Sequence, residues 1–455
     1  GRTWAKVAEV TDRSLLESVS VQVRGVTVNA ASSSDLYRVV VTTMNSASAT
    51  SEAVKSKGLL VNPTVVTSSF SEIEGWICTR DAQNGFTKAA SGDTYFEVWN
   101  PTPAEEFNYY QDVTGLANGV YELRANVFNS SNGVAGATVN GAVGLYAQTS
   151  DQFYFAPGVE DSEMDTQQWK SIDRIIVRDG NLRVGVRNVG AMTARWAGAD
   201  NFELLYLGTE EDVLVNESAA DVKARYDQVL FDMMTQQADG SWDASRFIRN
   251  ADASYQDNYR CWKTVKVGSI TGQSYDGDND NRYFDYWEEG SYKSSMTQVV
   301  SCLPAGKYAL SAMLRGNSSH QLTLSATSSS GESASATITG VGDVTQAGSE
   351  YQRGWRKVTL DAVTVNKGDE LTVALNTTGN SWWSADAFRL TFSPLVMKGD
   401  VNEDGNVDIS DVVTTVNYIL GTTPAVFNLT AADVNDDNGV DSSDVVGIVN
   451  MILGN

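Results

Sequence analysis

Apolar and polar residues alternate almost one for one through much of residues 60 to 394, as in Tyr121-Glu122-Leu123-Arg124-Ala125-Asn126-Val127 and Leu371-Thr372-Val373-Ala374-Leu375. A period of two places every second side chain on one face of a strand, so these runs read as half-buried β-strands. Gly- and Asn-rich breaks separate them at short intervals, and strands punctuated in this way are expected to form antiparallel β-sandwiches of about 150 residues. Between Glu217 and Gln237 the period changes to three and four. There Val222, Tyr226, Val229, Leu230 and Met233 share a face, which predicts a helix packed on a neighbour. A weaker helical pattern over Asp35 to Lys57 is read as a second such helix. Residues 1 to 34 alternate like strands but match nothing else in the chain; no domain is assigned to them, although the tail of an upstream domain would fit.

The strand pattern repeats. At offsets of 186 to 189, Tyr95-Phe96-x-x-Trp99 lies over Tyr283-Phe284-x-x-Trp287, and Leu116-x-x-Gly119-x-Tyr121 over Leu303-x-x-Gly306-x-Tyr308. Trp169 matches Trp355, and Trp196-x-x-x-Asp200-x-Phe202 matches Trp382-x-x-x-Asp386-x-Phe388. Self-similarity of this length is the mark of a duplicated unit. The division that follows is an unassigned segment 1–59, a first sandwich 60–208, a helical linker 209–243, a second sandwich 244–395 and a small all-α module 397–455.

That last module holds a shorter repeat, at an offset of 33. Asp400-Val-Asn402-Glu-Asp404-Gly-Asn406-Val-Asp408-Ile-Ser-Asp411 lies over Asp433-Val-Asn435-Asp-Asp437-Asn-Gly439-Val-Asp441-Ser-Ser-Asp444. Calcium takes about six to eight hard oxygen ligands from a tight loop, with side chains at positions 1, 3, 5, 9 and 12 and a backbone carbonyl at 7. Both loops carry Asp or Asn at all five side-chain positions, with Asn406 and Gly439 at the carbonyl position. These spacings predict two calcium ions. Each loop leads into a helical pattern: Val412, Val413, Val416, Ile419 and Leu420 match Val445, Val446, Val449, Ile452 and Leu453, and Gly421 and Gly454 are the expected stops. The five matched apolar positions are expected to form the seam between the two helices. Gly405 fills the sharp-turn position of the first loop, whereas Asn438 stands there in the second, so the second site is expected to be the weaker. The acidic stretch Asp276-Gly-Asp278-Asn-Asp280 lacks a ligand at position 12 and a following helix, and is read as a solvated loop in preference to a further calcium site.

Charge and composition narrow the function. Thirty-three Lys and Arg against 57 Asp and Glu give a net charge of -24, which repels phosphate backbones and anionic lipid; no nucleic-acid partner is expected. No apolar run approaches the roughly 18 to 20 residues that cross a bilayer, so membrane insertion is not expected and the start reads as a mature or truncated chain. The three cysteines, Cys78, Cys261 and Cys302, have no metal-ligand spacing; a Cys261–Cys302 pair remains open. The single histidine, His320, sits in the polar stretch Gly-Asn-Ser-Ser-His-Gln and is read as solvated surface. No nucleophile elbow or phosphate loop is present and no carboxylate pair stands in a catalytic motif, so no enzyme is expected within this chain.

In residues 397 to 455, Asp at loop position 12 and the absence of a helix before each loop resemble the type I dockerins. The resemblance implies that calcium folds the module, that it docks onto a cohesin domain of a scaffold or cell-surface protein, and that loop positions 10 and 11, here Ile409-Ser410 and Ser442-Ser443, take part in recognition. Because the two pairs differ, the two faces are expected to be inequivalent. The sandwiches, through Asn62-Pro63, Gly75-Trp76, Gln111-Asp112-Val113-x-Gly115-Leu116 and Gly119-x-Tyr121, resemble galactose-binding-like (jelly-roll) folds and carbohydrate-binding modules.

Sugars stack on aromatic rings while polar side chains take their hydroxyls. Trp99-Asn100 and Arg195-Trp196 in the first copy and Tyr286-Trp287 and Trp382-Trp383 in the second are the candidate glycan contacts. Trp99, Trp196, Trp287 and Trp382 recur between the copies and fit core or rim packing; Trp383 falls outside the match and is expected to be the exposed one. The leading expectation is a secreted or cell-surface bacterial protein, non-catalytic, binding calcium, a cohesin and a glycan or glycoprotein. The alternatives are the accessory end of a larger glycan-degrading enzyme and a purely structural surface protein.

Overall fold

A computed structural model describes residues 40–42, 48–50, 59–64, 73–80, 86–88, 94–99, 107–131, 139–162, 168–253, 261–271, 282–343, 353–395, 397–402, 406–422, 424, 426–435, 437 and 439–454. The described elements are mainly strands, with five short α-helices: α1 (Glu210–Val213), α2 (Ala219–Phe231), α3 (Ile409–Ile419), α4 (Leu429–Ala432) and α5 (Ser442–Leu453).

The first sandwich is two five-stranded antiparallel sheets. One runs in the order Gln168–Val177, Gly119–Ser130, Trp196–Gly208, Thr94–Trp99, Phe86–Lys88; the other Ile77–Arg80, Phe107–Val113, Leu182–Asn188, Val143–Gln148, Phe153–Pro157. Strict alternation of buried and open positions along Phe107–Val113 shows how the period of two is spent, one face on the core and one toward solvent. Between the sheets, Trp76 stacks on Tyr109 with centroids 4.6 Å apart, and Tyr109 stacks on Phe96 at 4.3 Å. The Trp76 indole N–H donates to Val61 O at 2.8 Å, so its one polar atom is satisfied inside the layer.

The second copy repeats this strand order with one change of construction. Arg282–Val300 and Leu371–Ser393 are each long enough to serve both layers, bending where their register shifts between Glu288 and Ser291. A continuous eleven-stranded sheet therefore folds over on itself. The duplicated turns also coincide in detail: Tyr121 donates its hydroxyl to Ala117 O, and Tyr308 to Pro304 O, both at 2.7 Å and both four residues back. Asn201 and Ala387, at φ 54° and 50°, mark the same left-handed kink after the buried Asp200 and Asp386.

Helix α2 joins the two cores. Ser218 and Asp221 form a reciprocal capping box at its start. Val222 and Tyr226 pack into the first core, while Leu230, followed by Met233 and Met234, packs into the second. The helix ends at Phe231, short of the expected Gln237, because Thr235–Gln236 turns back to pair with Trp242–Asp243. Tyr146, Phe155 and Val189 of the first sandwich belong to the second core cluster, Arg187 Nη2 donates to Ser301 Oγ at 3.0 Å, and Lys367 pairs with Asp227 of α2 at 2.6 Å.

Three expectations are corrected here, and the open cysteine pairing is answered. The helix read over Asp35 to Lys57 is not what its described residues form: Val40–Thr42 and Ser48–Thr50 pair antiparallel, as the β-branched run around Val40 favours. Residues 1 to 34 lie outside the described residues. No disulfide joins Cys261 to Cys302. His320 is fully buried, not solvated: Nδ1 donates to Asn380 O at 3.1 Å and Nε2 accepts from the Thr377 hydroxyl at 3.0 Å, with Tyr292 against the ring. Trp383 is likewise fully buried. Adjacent strand residues face opposite ways, and it is Trp382 that points outward.

Two outcomes follow. Trp383→Ala is expected to cost about 3 to 5 kcal/mol in urea unfolding, by the transfer and cavity terms of a core aromatic, while Trp287→Ala on the surface stays within about 0.5 kcal/mol. Burial holds the His320 imidazole below its ordinary value of 6.5, against a smaller opposing effect of its bond to Asn380 O. The unfolded chain therefore takes up the proton first, and stability is expected to fall as pH drops through about 6.5; His320→Gln should flatten that segment of a stability–pH curve.

Candidate functional site

In the C-terminal module the two longer helices, α3 and α5, each start at a loop aspartate. Asp408 and Asp441 are the N-caps of α3 and α5, and Asp411 and Asp444, three residues on, complete capping boxes. The last two carboxylates are buried and pull the loop starts inward. Asp411 Oδ1 accepts from the N–H of Val401 (2.7 Å) and Asn402 (3.1 Å), and its Oδ2 from Asp408 N–H at 2.9 Å. Asp444 repeats this with Val434 (2.8 Å), Asn435 (3.4 Å) and Asp441 (2.9 Å). Around the second loop, Asp437 N–H donates to Asp433 Oδ1 at 3.1 Å and to Asn435 Oδ1 at 3.0 Å, and Gly439 N–H donates to Asp437 Oδ1 at 2.9 Å. The Asn402 and Asn435 amides donate to Ser410 and Ser443 Oγ at 2.8 and 2.9 Å. Asp408 and Asp441 are held below the usual carboxylate range by hydrogen bonds from Ser410 and Ser443.

The chemistry of this set fits calcium. Every candidate donor is a hard oxygen, the second loop is wound by its own N–H groups, and the Asp411 and Asp444 side chains, at 0 and 1% exposure, are held by backbone N–H groups. A carboxylate carries about four acceptor sites, so accepting N–H bonds leaves lone pairs for a metal. Asp404, Gly405 and Asn438 lie outside the described residues. Among the described residues no three acidic, Cys or His side chains converge as a metal cluster; of the six donors expected in each loop, one is an Asn oxygen and one a backbone carbonyl.

The strand registers pair the tryptophan candidates two by two. Trp287 stands opposite Trp382, and Trp99 opposite Trp196, in adjacent strands. Trp287 is 63% exposed and Trp382 half-buried beside it. Tyr286 turns the other way: half-buried against the core, it packs edge-on to Tyr292 and donates its hydroxyl to Glu288 at 3.0 Å. Trp196 donates its indole N–H to Glu97 Oε2 at 2.7 Å and meets Phe128 edge-on at 5.0 Å. Arg195 is half-buried, its N–H donating to Ser130 O. Asn100 and the Asp276–Asp280 stretch lie outside the described residues. Residue-type reasoning missed Arg315, whose guanidinium lies among Tyr283, Trp355 and Trp382 with its carbon 4.9, 4.7 and 5.2 Å from the three ring centroids. The sequence signal was there: the repeat sets Arg315 against Phe128.

Residues 398–453 match the family model of the dockerin type I domain. The C-terminal module is a type I dockerin. No curated protein matches the chain. Among solved structures the chain is similar to TmCBM61 in complex with β-1,4-galactotriose, at 17% identity over 32% of this chain and 98% of that one, TM-score 0.27. It is also similar to the tandem CBM22 domain of Paenibacillus barcinonensis Xyn10C, at 15% identity over 71% of this chain and 94% of that one, TM-score 0.22. Both are carbohydrate-binding modules, but likenesses this slight do not speak for a ligand.

Type I dockerins bind calcium and dock onto cohesins. Of the five matched apolar positions on α3, only Val412 packs against the buried centre of the seam. Val401, Ala432 and Ile448 form its buried centre, flanked by Val407, Val412, Phe427, Val434 and Val440, and Thr415 is buried at the position equivalent to Ile448. Ile409, Val413, Val416 and Leu420 instead line the open side of α3, Leu420 at 77% exposure, and Val446 and Leu453 the open side of α5. Each helix turns only two residues fully inward, Asp411 and Thr415 on α3 and Asp444 and Ile448 on α5, and one of each pair is an aspartate, so little of the apolar surface is covered. Ser410 and Ser443 lie at the helix starts beside them, with Ile409 exposed where α5 has Ser442.

Removing the Asp411 carboxylate orphans three N–H donors. Asp411→Ala is expected to cost about 1 to 3 kcal/mol in the helix-monitored unfolding of the dockerin, and Asp411→Asn less, because the amide keeps one acceptor oxygen.

Proposed function

We propose that this chain is a secreted or cell-surface, non-catalytic bacterial assembly protein that binds two calcium ions in its dockerin, docks through that module onto a cohesin, and presents β-sandwiches to a glycan or glycoprotein. The observation that carries the reading is the open apolar row on α3 set beside the two wound oxygen loops. Apolar side chains at helical spacing on the surface of so small a module suit burial against a partner. Calcium would be held by Asp400, Asn402, Asp404, Asn406 O, Asp408 and Asp411 in the first loop, and by Asp433, Asn435, Asp437, Gly439 O, Asp441 and Asp444 in the second. Filling those cages would neutralise the carboxylates and fix the helices in the orientation a cohesin reads, so docking and metal binding are coupled. No helix among the described residues is long and apolar enough to cross a membrane.

Immobilised type I cohesins are the direct test. The intact chain should be captured in millimolar calcium and released by EDTA, and Val413→Glu with Leu420→Glu should weaken capture at least about tenfold with helix content unchanged. Capture indifferent to EDTA, or to both substitutions, would refute the docking role.

A further inference from the structure

Resting on the glycan-binding reading, we propose that the second sandwich alone holds a neutral sugar on the outer face of its Trp287–Trp382 sheet, with Arg315 as the residue that selects it. Strand alternation puts Tyr283, Asp285 and Trp287 on that face from one strand and Trp382 and Ser384 from the next, on the side away from the core that Trp383 fills. Trp287 offers an open ring for the C–H face of a pyranose. Behind it runs a polar chain: Arg315 Nε donates to Ser384 Oγ at 3.2 Å, and Ser384 Oγ donates to Asp285 Oδ1 at 3.1 Å. The rings of Tyr283, Trp355 and Trp382 enclose the guanidinium, so its fork is set before a ligand arrives, and its Nη1 lies 3.9 Å from Asp343 at the exposed rim.

A fixed donor fork beside carboxylate acceptors is what two neighbouring sugar hydroxyls require, since each both donates and accepts. The local charge decides against an acidic sugar. Two guanidinium groups, Arg315 and Arg353 near Tyr283, stand against two carboxylic residues, Asp285 and Asp343, and leave no positive surplus for a carboxylate or sulfate.

The first sandwich cannot copy this arrangement. Phe128 takes the place of Arg315, Gly198 that of Ser384, and the Phe128 ring fills the space a side chain at Gly198 would need, coming within 2.3 Å of a Cβ built there. The carboxylate at the position of Asp285, Glu97, is already bonded to the Trp196 indole.

Affinity electrophoresis of the full chain tests this, with gels containing neutral xylan, β-glucan, galactan or mannan, or anionic polygalacturonate or chondroitin sulfate. Retention is expected on at least one neutral polymer and on neither anionic one. Trp287→Ala and Arg315→Lys should each raise the apparent Kd at least about tenfold, Arg315→Lys because it keeps the charge and loses the fork, whereas Trp169→Ala, an exposed Trp of the first sandwich, should leave it unchanged. Neutral retention that survives both second-sandwich substitutions, that disappears with Trp169→Ala, or that is matched by the anionic polymers would overturn the site while leaving glycan binding intact. No retention on any of the six polymers would remove the glycan reading and this site with it.

Discussion

Two carboxylates, Asp411 and Asp444, tie the dockerin together. Each sits out of water at the start of a helix, and each binds back to the first residues of its loop and to the N-cap aspartate before it. A module this small has little else to rely on: its buried apolar centre is Val401, Ala432 and Ile448 with a partly covered rim, far below what a self-sufficient core needs. Ten acidic side chains between residues 398 and 455, opposed by Lys398 alone, would repel one another in the folded loops. A divalent cation bound there would remove that repulsion and add bonds that the unfolded chain cannot make, coupling metal binding to the fold.

The loops were legible in the sequence because calcium dictates an oxygen at each of several fixed positions, and a constraint of that kind survives as a spacing. The helix seam was not. Val413, Val416 and Leu420 carry the helical period of an interior, yet a row of apolar residues states only that something will cover it, and here the inner position went to Thr415 and Ile448. The polar Thr415 is tolerated inside because its hydroxyl donates to Asp411 O at 2.8 Å, one turn back.

The sandwiches divide in the same way. The alternation and the duplicated Tyr121 and Tyr308 turns gave the strands and their repeat, because a half-buried sheet writes its period directly into the chain. Which side Trp382 and Trp383 face could not be read, since a period of two says only that they differ. The register against Trp287 and Tyr286 settles it. His320 misled for a related reason: its neighbours are polar, but Asn380 and Thr377, which enclose it, come from a strand some sixty residues on. Arg315 escaped notice because a lone Arg in a strand resembles surface until three aromatic rings from separate elements close around it.

These pieces describe a chain with two cores joined through α2 and a terminal dockerin. The most direct measurement is calcium uptake by the chelator-stripped chain, followed together by calorimetric stoichiometry and far-ultraviolet circular dichroism. Two ions bound per chain, with a gain in helix that EDTA reverses, is the result this account requires. Helix content that is complete without calcium and unmoved by its addition, with no ion taken up, would contradict it.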